Sequence, residues 1–170
     1  MTADELKALQ APLKERYKTD PAAALITLRA TGQAVDGVVC KVETGRAIVE
    51  AGLHPATGGT GRFLCSGDML LEALVACAGV TLRAVATAVG IELREATVTA
   101  EGDLDFRGTL GVTKEAPVGF QRIRLAFALT TDASDEQVAT LMRLTERYCV
   151  VYQTLRTSSE ITVSRSIGTP

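Results

Sequence analysis

The stretch that decides the fold is SGDMLLEALVACAGVTLRAVATAVG, residues 66–90. Ser66 is a favoured N-cap residue and Gly90 a favoured helix stop, which predicts a helix of about 23 residues, roughly 34 Å long. Apolar residues occupy nearly every face, and a helix that is apolar all round is expected to be buried. Three charged residues interrupt it: Asp68, Glu72 and Arg83. They leave a charge-free run of only about ten residues, half of what a bilayer requires, so we expect no membrane span.

Length and charge limit the classes of function. A chain of 170 residues is expected to form one domain with a sizeable core. The net charge of −2, the lack of tryptophan and an aromatic content of 4% argue against nucleic-acid binding, which needs a basic surface or stacking platforms. Residues 1–20 are charged and lack the apolar core of a signal peptide, so we expect a cytoplasmic protein.

The cysteine and histidine content argues against a metal site. Four cysteines are too few for a disulfide scaffold, and in a reducing compartment any disulfide is expected to be transient and chemical. There is no CxxC pair, and the only histidine is His54, so zinc is disfavoured. We expect no metal and no bound cofactor.

Residues 1–24 are predicted to form a helical extension of a domain that spans residues 25–170. Thr2 and Glu5 have capping-box spacing, and a helical pattern follows them. Pro12 is expected to end or kink this first helix, unless it begins a second short one.

The remaining segments predict an α+β fold. Three alternating segments between residues 26 and 52 predict an antiparallel meander, followed by a long loop over residues 53–67. Beyond the central helix, residues 91–106 and 120–131 are predicted strands, the first with a turn near Gly102. A second amphipathic helix follows, and the final predicted strand is EITVSRSI, residues 160–167. Helices packed on antiparallel sheet define the fold class.

Two cysteines are candidates for chemistry. Cys77 lies within the central helix and Cys149 at or just beyond the end of the second, 72 residues away, so only the fold can bring them together. A free cysteine often packs as a small apolar residue, whereas a reactive one needs access and a positive or hydrogen-bonding neighbour. Arginine suits that role because it keeps its charge when desolvated. Cys65, beside the helix start, is a competing candidate because of the helix dipole.

Four runs occur in a fixed order along the chain: LLEALVACAGVTLRAVA, GIELREATVTAEGDLD, GFQRIRLAFAL and LTERYCVVYQTL. Together they resemble the OsmC/Ohr family of osmotically inducible and organic hydroperoxide resistance proteins, over roughly residues 25–165. The resemblance implies an intertwined homodimer in which curved antiparallel sheets wrap around long central helices.

The resemblance also implies thiol peroxidase chemistry in oxidative or osmotic stress defence. Cys77 would be the peroxidatic thiolate, which reduces a small organic hydroperoxide and becomes a sulfenic acid. Cys149 would be the resolving thiol, which condenses with Cys77 to form a disulfide. An external dithiol, such as a dihydrolipoyl group, would then reduce that disulfide by exchange.

The chain departs from the pattern of the active peroxidases in this family. Their glutamate, ten residues before the first cysteine, is replaced by Gly67, with Asp68 adjacent, and their Cys-Pro is Cys149-Val150 here. Three residues are candidates for the arginine that activates the first cysteine: Arg29, Arg46 and Arg62. These departures keep an alternative function open, a non-catalytic dimeric binding or redox-sensing module for a small apolar ligand.

Overall fold

A computed structural model of the chain describes residues 2–19, 31–35, 39–44 and 47–167. The helices are α1 (Ala3–Thr19), α2 (Ser66–Val89), α3 (Phe106–Thr109), α4 (Asp135–Tyr148) and α5 (Val150–Arg156). The strands are β1 (Thr31–Val35), β2 (Val39–Thr44), β3 (Ala47–Gly52), β4 (Leu64–Cys65), β5 (Glu95–Leu104) and β6 (Phe120–Thr130). This combination confirms the predicted α+β class.

Strands β1 to β4 form one sheet in that order. β1, β2 and β3 pair antiparallel, with Val42 opposite Val49, which confirms the predicted meander. The predicted start of the meander and the turns between its strands lie outside the described residues. β4 joins β3 in parallel, with Ala51 opposite Leu64, and leads directly into α2. The loop predicted over residues 53–67 therefore ends earlier, at this short strand.

The second sheet consists of the antiparallel strands β5 and β6. Side chains alternate between an exposed face and a half-buried face on both strands, as the sequence pattern predicts. The turn predicted near Gly102 is wrong, because Gly102 lies inside β5 opposite Ile123. A Cβ atom at residue 102 would lie 2.3 Å from Cε1 of Phe120, so the glycine permits a close ring contact within the strand.

α2 begins and ends within one residue of the positions that the sequence predicts. The predicted N-cap at Ser66 is wrong by one position: Cys65 is the N-cap, in extended conformation and without a side-chain hydrogen bond. Gly90 ends the helix as predicted, with a φ of 73° and its N–H donating to the carbonyl of Ala86. This left-handed conformation favours glycine, which carries no Cβ.

The main hydrophobic core forms on one side of the second half of α2. Its buried members come from α2, from the connection to β5 and from α4: Leu82, Val85, Ala86, Ile91, Leu93 and Leu141. The inner face of the β5–β6 sheet packs against them through Ala96, Phe127 and Leu129. One sheet and one helix therefore cover this side of α2.

The opposite side of α2 is open in the single chain. Val80 is 72% exposed, and Ala73 and Ala76, which share its face of the helix, are also exposed. The prediction that α2 is buried on every face is therefore wrong for one chain alone. Among the described residues, α2 is the one helix long and apolar enough to cross a membrane, although the core helix of a soluble protein meets the same criterion.

The two ends of the chain differ from their predicted forms. Thr2 and Glu5 make the predicted capping box, with hydrogen bonds of 2.8 and 3.2 Å, but α1 continues past Pro12 to Thr19. Residues 160–167 have no regular secondary structure, so the predicted final strand is absent. A strand forms only with a hydrogen-bonded neighbour, and no described strand of this chain pairs with the segment.

Core packing leads to the first prediction. Leu141 is fully buried, so Leu141→Ala is expected to lower the free energy of unfolding by about 2–5 kcal/mol, because burial is lost and a cavity remains. Leu110, which is 56% exposed, supplies the matched control, and Leu110→Ala should change this free energy by less than about 0.5 kcal/mol. Chemical denaturation followed by circular dichroism measures both. Equal losses in the two variants would contradict the assigned core.

Candidate active site

Cys77 lies near the middle of α2 and is partly buried. Leu74 and Ala78 next to it face the interior and are almost completely buried. Gly79 faces β5, where an added Cβ would lie 3.9 Å from Val98. The small residues around Cys77 therefore allow other elements to approach α2.

Cys149 is the single residue between α4 and α5. Its N–H donates to the carbonyl of Thr145 in α4, and its own carbonyl accepts from the N–H of Gln153 in α5, both at 3.0 Å. Its extended conformation, with φ −73° and ψ 109°, breaks the helix at this point. The residue is only 1% exposed. Cys149 thus lies where the sequence predicts, just beyond the end of the second amphipathic helix.

The fold brings the two candidate cysteines together. Both α4 and α5 pack against α2, and the thiols of Cys77 and Cys149 interact directly. Neither is in a disulfide, so the structure represents the reduced form of the pair.

The pKa of the Cys77 thiol lies below its ordinary value, although burial by itself raises it. The interactions that outweigh burial come from the backbone N–H groups of Val151 and Val150, the Cys149 thiol and the Thr81 hydroxyl. The first N–H groups of a helix have no partners within that helix, so the start of α5 can stabilise a thiolate. Neutral hydrogen-bond donors therefore account for the lowered pKa of Cys77.

The pKa of the Cys149 thiol changes in the opposite direction. Burial raises the pKa of Cys149, and the neighbouring Cys77 raises it further. A thiolate at Cys77 disfavours a second negative charge, and it accepts a hydrogen bond from the protonated Cys149 thiol. The arrangement therefore favours a thiolate at Cys77 beside a protonated thiol at Cys149.

The arginine expected to activate Cys77 is not found among the described residues. Arg62 is exposed, with its guanidinium carbon 5.8 Å from the centre of the Phe63 ring, and it does not contribute to the lowered pKa of Cys77. Arg83 donates to the carbonyl of Leu93 at 2.7 Å. The other two candidates, Arg29 and Arg46, lie outside the described residues.

The family profile of OsmC-like proteins matches residues 59–164, which include both cysteines. The chain belongs to the OsmC-like family. No curated protein matches it.

Solved structures with the same fold as this OsmC-like protein are distant in sequence. An OsmC-like protein from Mycoplasma pneumoniae is 14% identical, with a TM-score of 0.66, over 78% of this chain and 89% of that one. An organic hydroperoxide resistance protein from Elizabethkingia anophelis is 19% identical, with a TM-score of 0.64, over 79% and 91% of the two chains. One from Legionella pneumophila is 22% identical, with a TM-score of 0.62, over 78% and 90%.

Gly67 lies at the start of α2, far from Cys77 in the same chain. Ten residues of helix separate them by about 15 Å, so a side chain at either Gly67 or Asp68 does not reach the thiol. An added Cβ at Gly67 would lie 3.4 Å from Cζ of Phe120 and 3.5 Å from Sγ of Cys65. The glycine lines a cavity of about 380 Å³ together with Asp68 and Cys65.

Cys65, the competing candidate, lies apart from the pair: it lines that cavity at the N-terminal end of α2, while Cys77 lies near the middle of the helix. Cys40 belongs to β2. No group of three metal-ligating side chains occurs in the part of the chain that the structure describes.

A larger cavity of about 560 Å³ lies between α2, β6, α4 and α5. Its apolar lining comes from all four elements: Leu74, Phe120, Ile123, Leu125, Phe127, Met142 and Leu155. It reaches α2 at Leu74, about one helical turn before Cys77, but neither cysteine lines it. Arg122, Glu146 and Arg156 add charged groups to the lining, so the cavity could hold a molecule with both apolar and polar parts.

The sequence singled out both cysteines and the OsmC/Ohr resemblance paired them, but sequence reasoning missed the groups that lower the pKa of Cys77. Thr81 follows Cys77 by four residues and so lies on the same face of the helix, which is a detectable signal. The N–H groups of Val150 and Val151 leave no such signal, because every residue except proline carries one. Their role becomes visible only once a new helix is known to begin immediately after Cys149.

The opposite pKa changes lead to the second prediction. A thiolate reacts with iodoacetamide and a thiol does not, so the pH profile of Cys77 alkylation should have a lower midpoint than that of Cys149. Peptide mass spectrometry resolves the two sites, and midpoints are compared because access affects absolute rates. In guanidinium chloride the two profiles should coincide, since the contacts made by folding are lost. A higher midpoint for Cys77 in the folded protein would contradict the assignment.

Proposed function

We propose that this OsmC-like protein is a thiol-dependent peroxidase that reduces organic hydroperoxides in the cytoplasm, in oxidative or osmotic stress defence. The observation that carries the proposal is the contact between a thiol of lowered pKa, Cys77, and a thiol of raised pKa, Cys149. A peroxidatic centre needs both: a thiolate that attacks, and a protonated thiol that survives until it is required. The names of the Elizabethkingia and Legionella neighbours support the same activity.

In the first step, the Cys77 thiolate attacks one oxygen of the O–O bond. A sulfur–oxygen bond forms as the O–O bond breaks, so the sulfur is oxidised to a sulfenic acid and the peroxide is reduced. The leaving alkoxide takes a proton and departs as an alcohol. The thiol of Cys149, in contact with Cys77, can supply that proton.

In the second step, the sulfur of Cys149 attacks the sulfenic acid. A disulfide between Cys77 and Cys149 forms, and hydroxide leaves as water after protonation. An external dithiol, such as a dihydrolipoyl group, then reduces this disulfide by exchange, which restores both thiols and oxidises the dithiol. No bound cofactor takes part in this cycle.

The partly apolar cavity that reaches α2 one helical turn from Cys77 supports an organic rather than an inorganic peroxide. Burial of apolar surface contributes about 25 cal/mol per Å², a gain that an alkyl or aryl hydroperoxide obtains and hydrogen peroxide does not. The cavity of about 560 Å³ falls in the size range of small-molecule sites.

The third prediction tests the roles of the cysteines. With a dithiol as reductant, Cys77→Ser should abolish consumption of cumene hydroperoxide, because the attacking sulfur is removed. Cys149→Ser should permit a single oxidation that leaves a sulfenic acid, which dimedone labelling and mass spectrometry detect. Cys65→Ser is the matched control and should retain turnover.

Peroxide consumption that persists in Cys77→Ser would overturn the proposal. In the unmodified protein, disulfide mapping after one equivalent of cumene hydroperoxide should find Cys77 joined to Cys149, and hydrogen peroxide should react more slowly. Loss of other thiols instead would exclude Cys149 as the resolving residue.

We also propose that the protein acts as a homodimer. The open side of α2 exposes Val80, and the C-terminal segment exposes Ile161, Val163 and Ile167 to between 83% and 92%. The three C-terminal residues are odd-numbered and would lie on one face of a strand. A second copy of the chain offers both an apolar surface for α2 and a strand neighbour for this segment.

The fourth prediction concerns this assembly. Light scattering should give twice the chain mass of 17.9 kDa for the unmodified protein. Val80→Glu should shift the molecule toward the monomer, because a carboxylate in an apolar interface is strongly disfavoured. Val118→Glu introduces the same charge at a loop residue that is 69% exposed, and it should leave the mass unchanged. A monomeric unmodified protein at micromolar concentration would contradict the proposal.

A second candidate function rests on the lack of a charged partner for Cys77 among the described residues. Without one, the protein would be a non-catalytic dimeric module that binds or senses a small apolar ligand. Such a module should bind cumyl alcohol equally well in the unmodified protein and in a Cys77→Ser/Cys149→Ser variant. It should also leave cumene hydroperoxide unconsumed, which separates it from the peroxidase.

A further inference from the structure

A single residue, Cys149, separates α4 from α5. A one-residue junction does not by itself fix the direction of the second helix, since rotation about two dihedral angles can reorient it. α5 packs against α2, and the backbone N–H groups that lower the pKa of Cys77 belong to its first residues, Val150 and Val151. Their distance from the sulfur therefore depends on what holds α5 in place.

Glu146 connects α4 to α5 across this junction. Its carboxylate Oε2 accepts a hydrogen bond of 3.2 Å from the Tyr152 hydroxyl, and its backbone carbonyl accepts one of 2.8 Å from the Gln153 side-chain amide. Both hydrogen bonds are partly buried, and they join residues six and seven positions apart. Two hydrogen bonds thus connect the last turn of α4 to the first turns of α5.

The geometry points to a positioning clamp, formed by Glu146, Tyr152 and Gln153, that keeps the first backbone N–H groups of α5 directed at the Cys77 sulfur. This inference rests on the proposed function in one respect, since that function gives the Cys77 sulfur a catalytic role. No bond is made or broken at the clamp residues in the reaction steps, although Glu146 and Tyr152 line the larger cavity. They act through the position of Val150 and Val151.

The surroundings of the clamp keep its donor protonated. Burial raises the pKa of Tyr152, and the charge of Glu146 and the hydrogen bond to it raise it further, while Arg156 on the next turn of α5 opposes the change. Tyr152 therefore remains a hydroxyl donor at neutral pH. Glu146 and Tyr152 also line the larger cavity, so their hydrogen bond forms part of its wall.

The fifth prediction uses Tyr152→Phe in the full-length reduced protein. Loss of the hydroxyl should loosen the clamp, raise the midpoint of the pH profile for Cys77 alkylation and slow alkylation at pH 7 by about three- to tenfold, the range that the net free energy of one hydrogen bond corresponds to. Tyr148→Phe is the matched control. Tyr148 is 59% exposed, and its ring contact with Arg147 survives in phenylalanine, so the midpoint should not move.

A second pair of variants separates the clamp from the charge of Glu146. Glu146→Gln and Glu146→Ala both remove the carboxylate charge, but only glutamine can still accept the hydrogen bond from Tyr152. Glu146→Gln should keep the midpoint at or below that of the unmodified protein, since removal of a nearby negative charge favours the thiolate. Glu146→Ala should raise the midpoint relative to Glu146→Gln.

The alkylation assay needs no peroxide, so its result is independent of whether the protein turns over hydroperoxides. The clamp stands if Tyr152→Phe and Glu146→Ala raise the midpoint while both controls do not, even in a protein that consumes no peroxide. Equal midpoints for Tyr152→Phe, Tyr148→Phe and the unmodified protein would overturn it. Absence of Cys77 alkylation at any pH in the folded protein would also overturn it, because there would be no thiolate to position.

Discussion

The structure depends on covering one long apolar helix. α2 has 24 residues and apolar side chains on nearly every face, so exposure of any face to water costs free energy. The described part of the chain covers one side of it with β5, β6, α4 and α5, and α1 also contacts it. A two-stranded sheet is only marginally stable by itself, so the sheet depends on α2 as much as α2 depends on the sheet. The dimer that we propose answers the same constraint on the other side.

The thiol pair lies where α4 and α5 pack against α2. Cys149 separates the two helices, and the backbone N–H groups that follow it lower the pKa of Cys77. Because these donors are neutral, their effect depends on direction and distance more than on net charge. Such an arrangement requires a rigid framework around the junction, and α2 supplies the surface against which α4 and α5 are packed.

Much of this fold could be predicted from short patterns. The apolar run and Gly90 defined α2, and strict alternation defined β5 and β6. The turn near Gly102 was wrong because a glycine in a turn and a glycine under an aromatic ring look alike until Phe120 is known to cover it. The strand at residues 160–167 was wrong for the single chain because alternation indicates a strand without supplying its neighbour.

The candidate site could be predicted only in part. Position on a helix identified Cys77 as unusual, but its contact with Cys149 required the family resemblance, since no local pattern joins residues 72 positions apart. An arginine was the expected activator because side-chain charges are visible in a sequence. Backbone donors at the start of α5 are not, and they emerge only from the bend at Cys149.

The wide separation of the two cysteines along the chain has a thermodynamic consequence. A disulfide between residues 72 positions apart would close a large loop in the unfolded chain, reduce its conformational entropy and raise the free energy of unfolding by about 4 kcal/mol. The oxidised and reduced forms would then differ in melting temperature. Reduction of this one disulfide would lower the stability of the whole domain. Proteases and chaperones, which act on unfolded chains, would then act more readily on the reduced form.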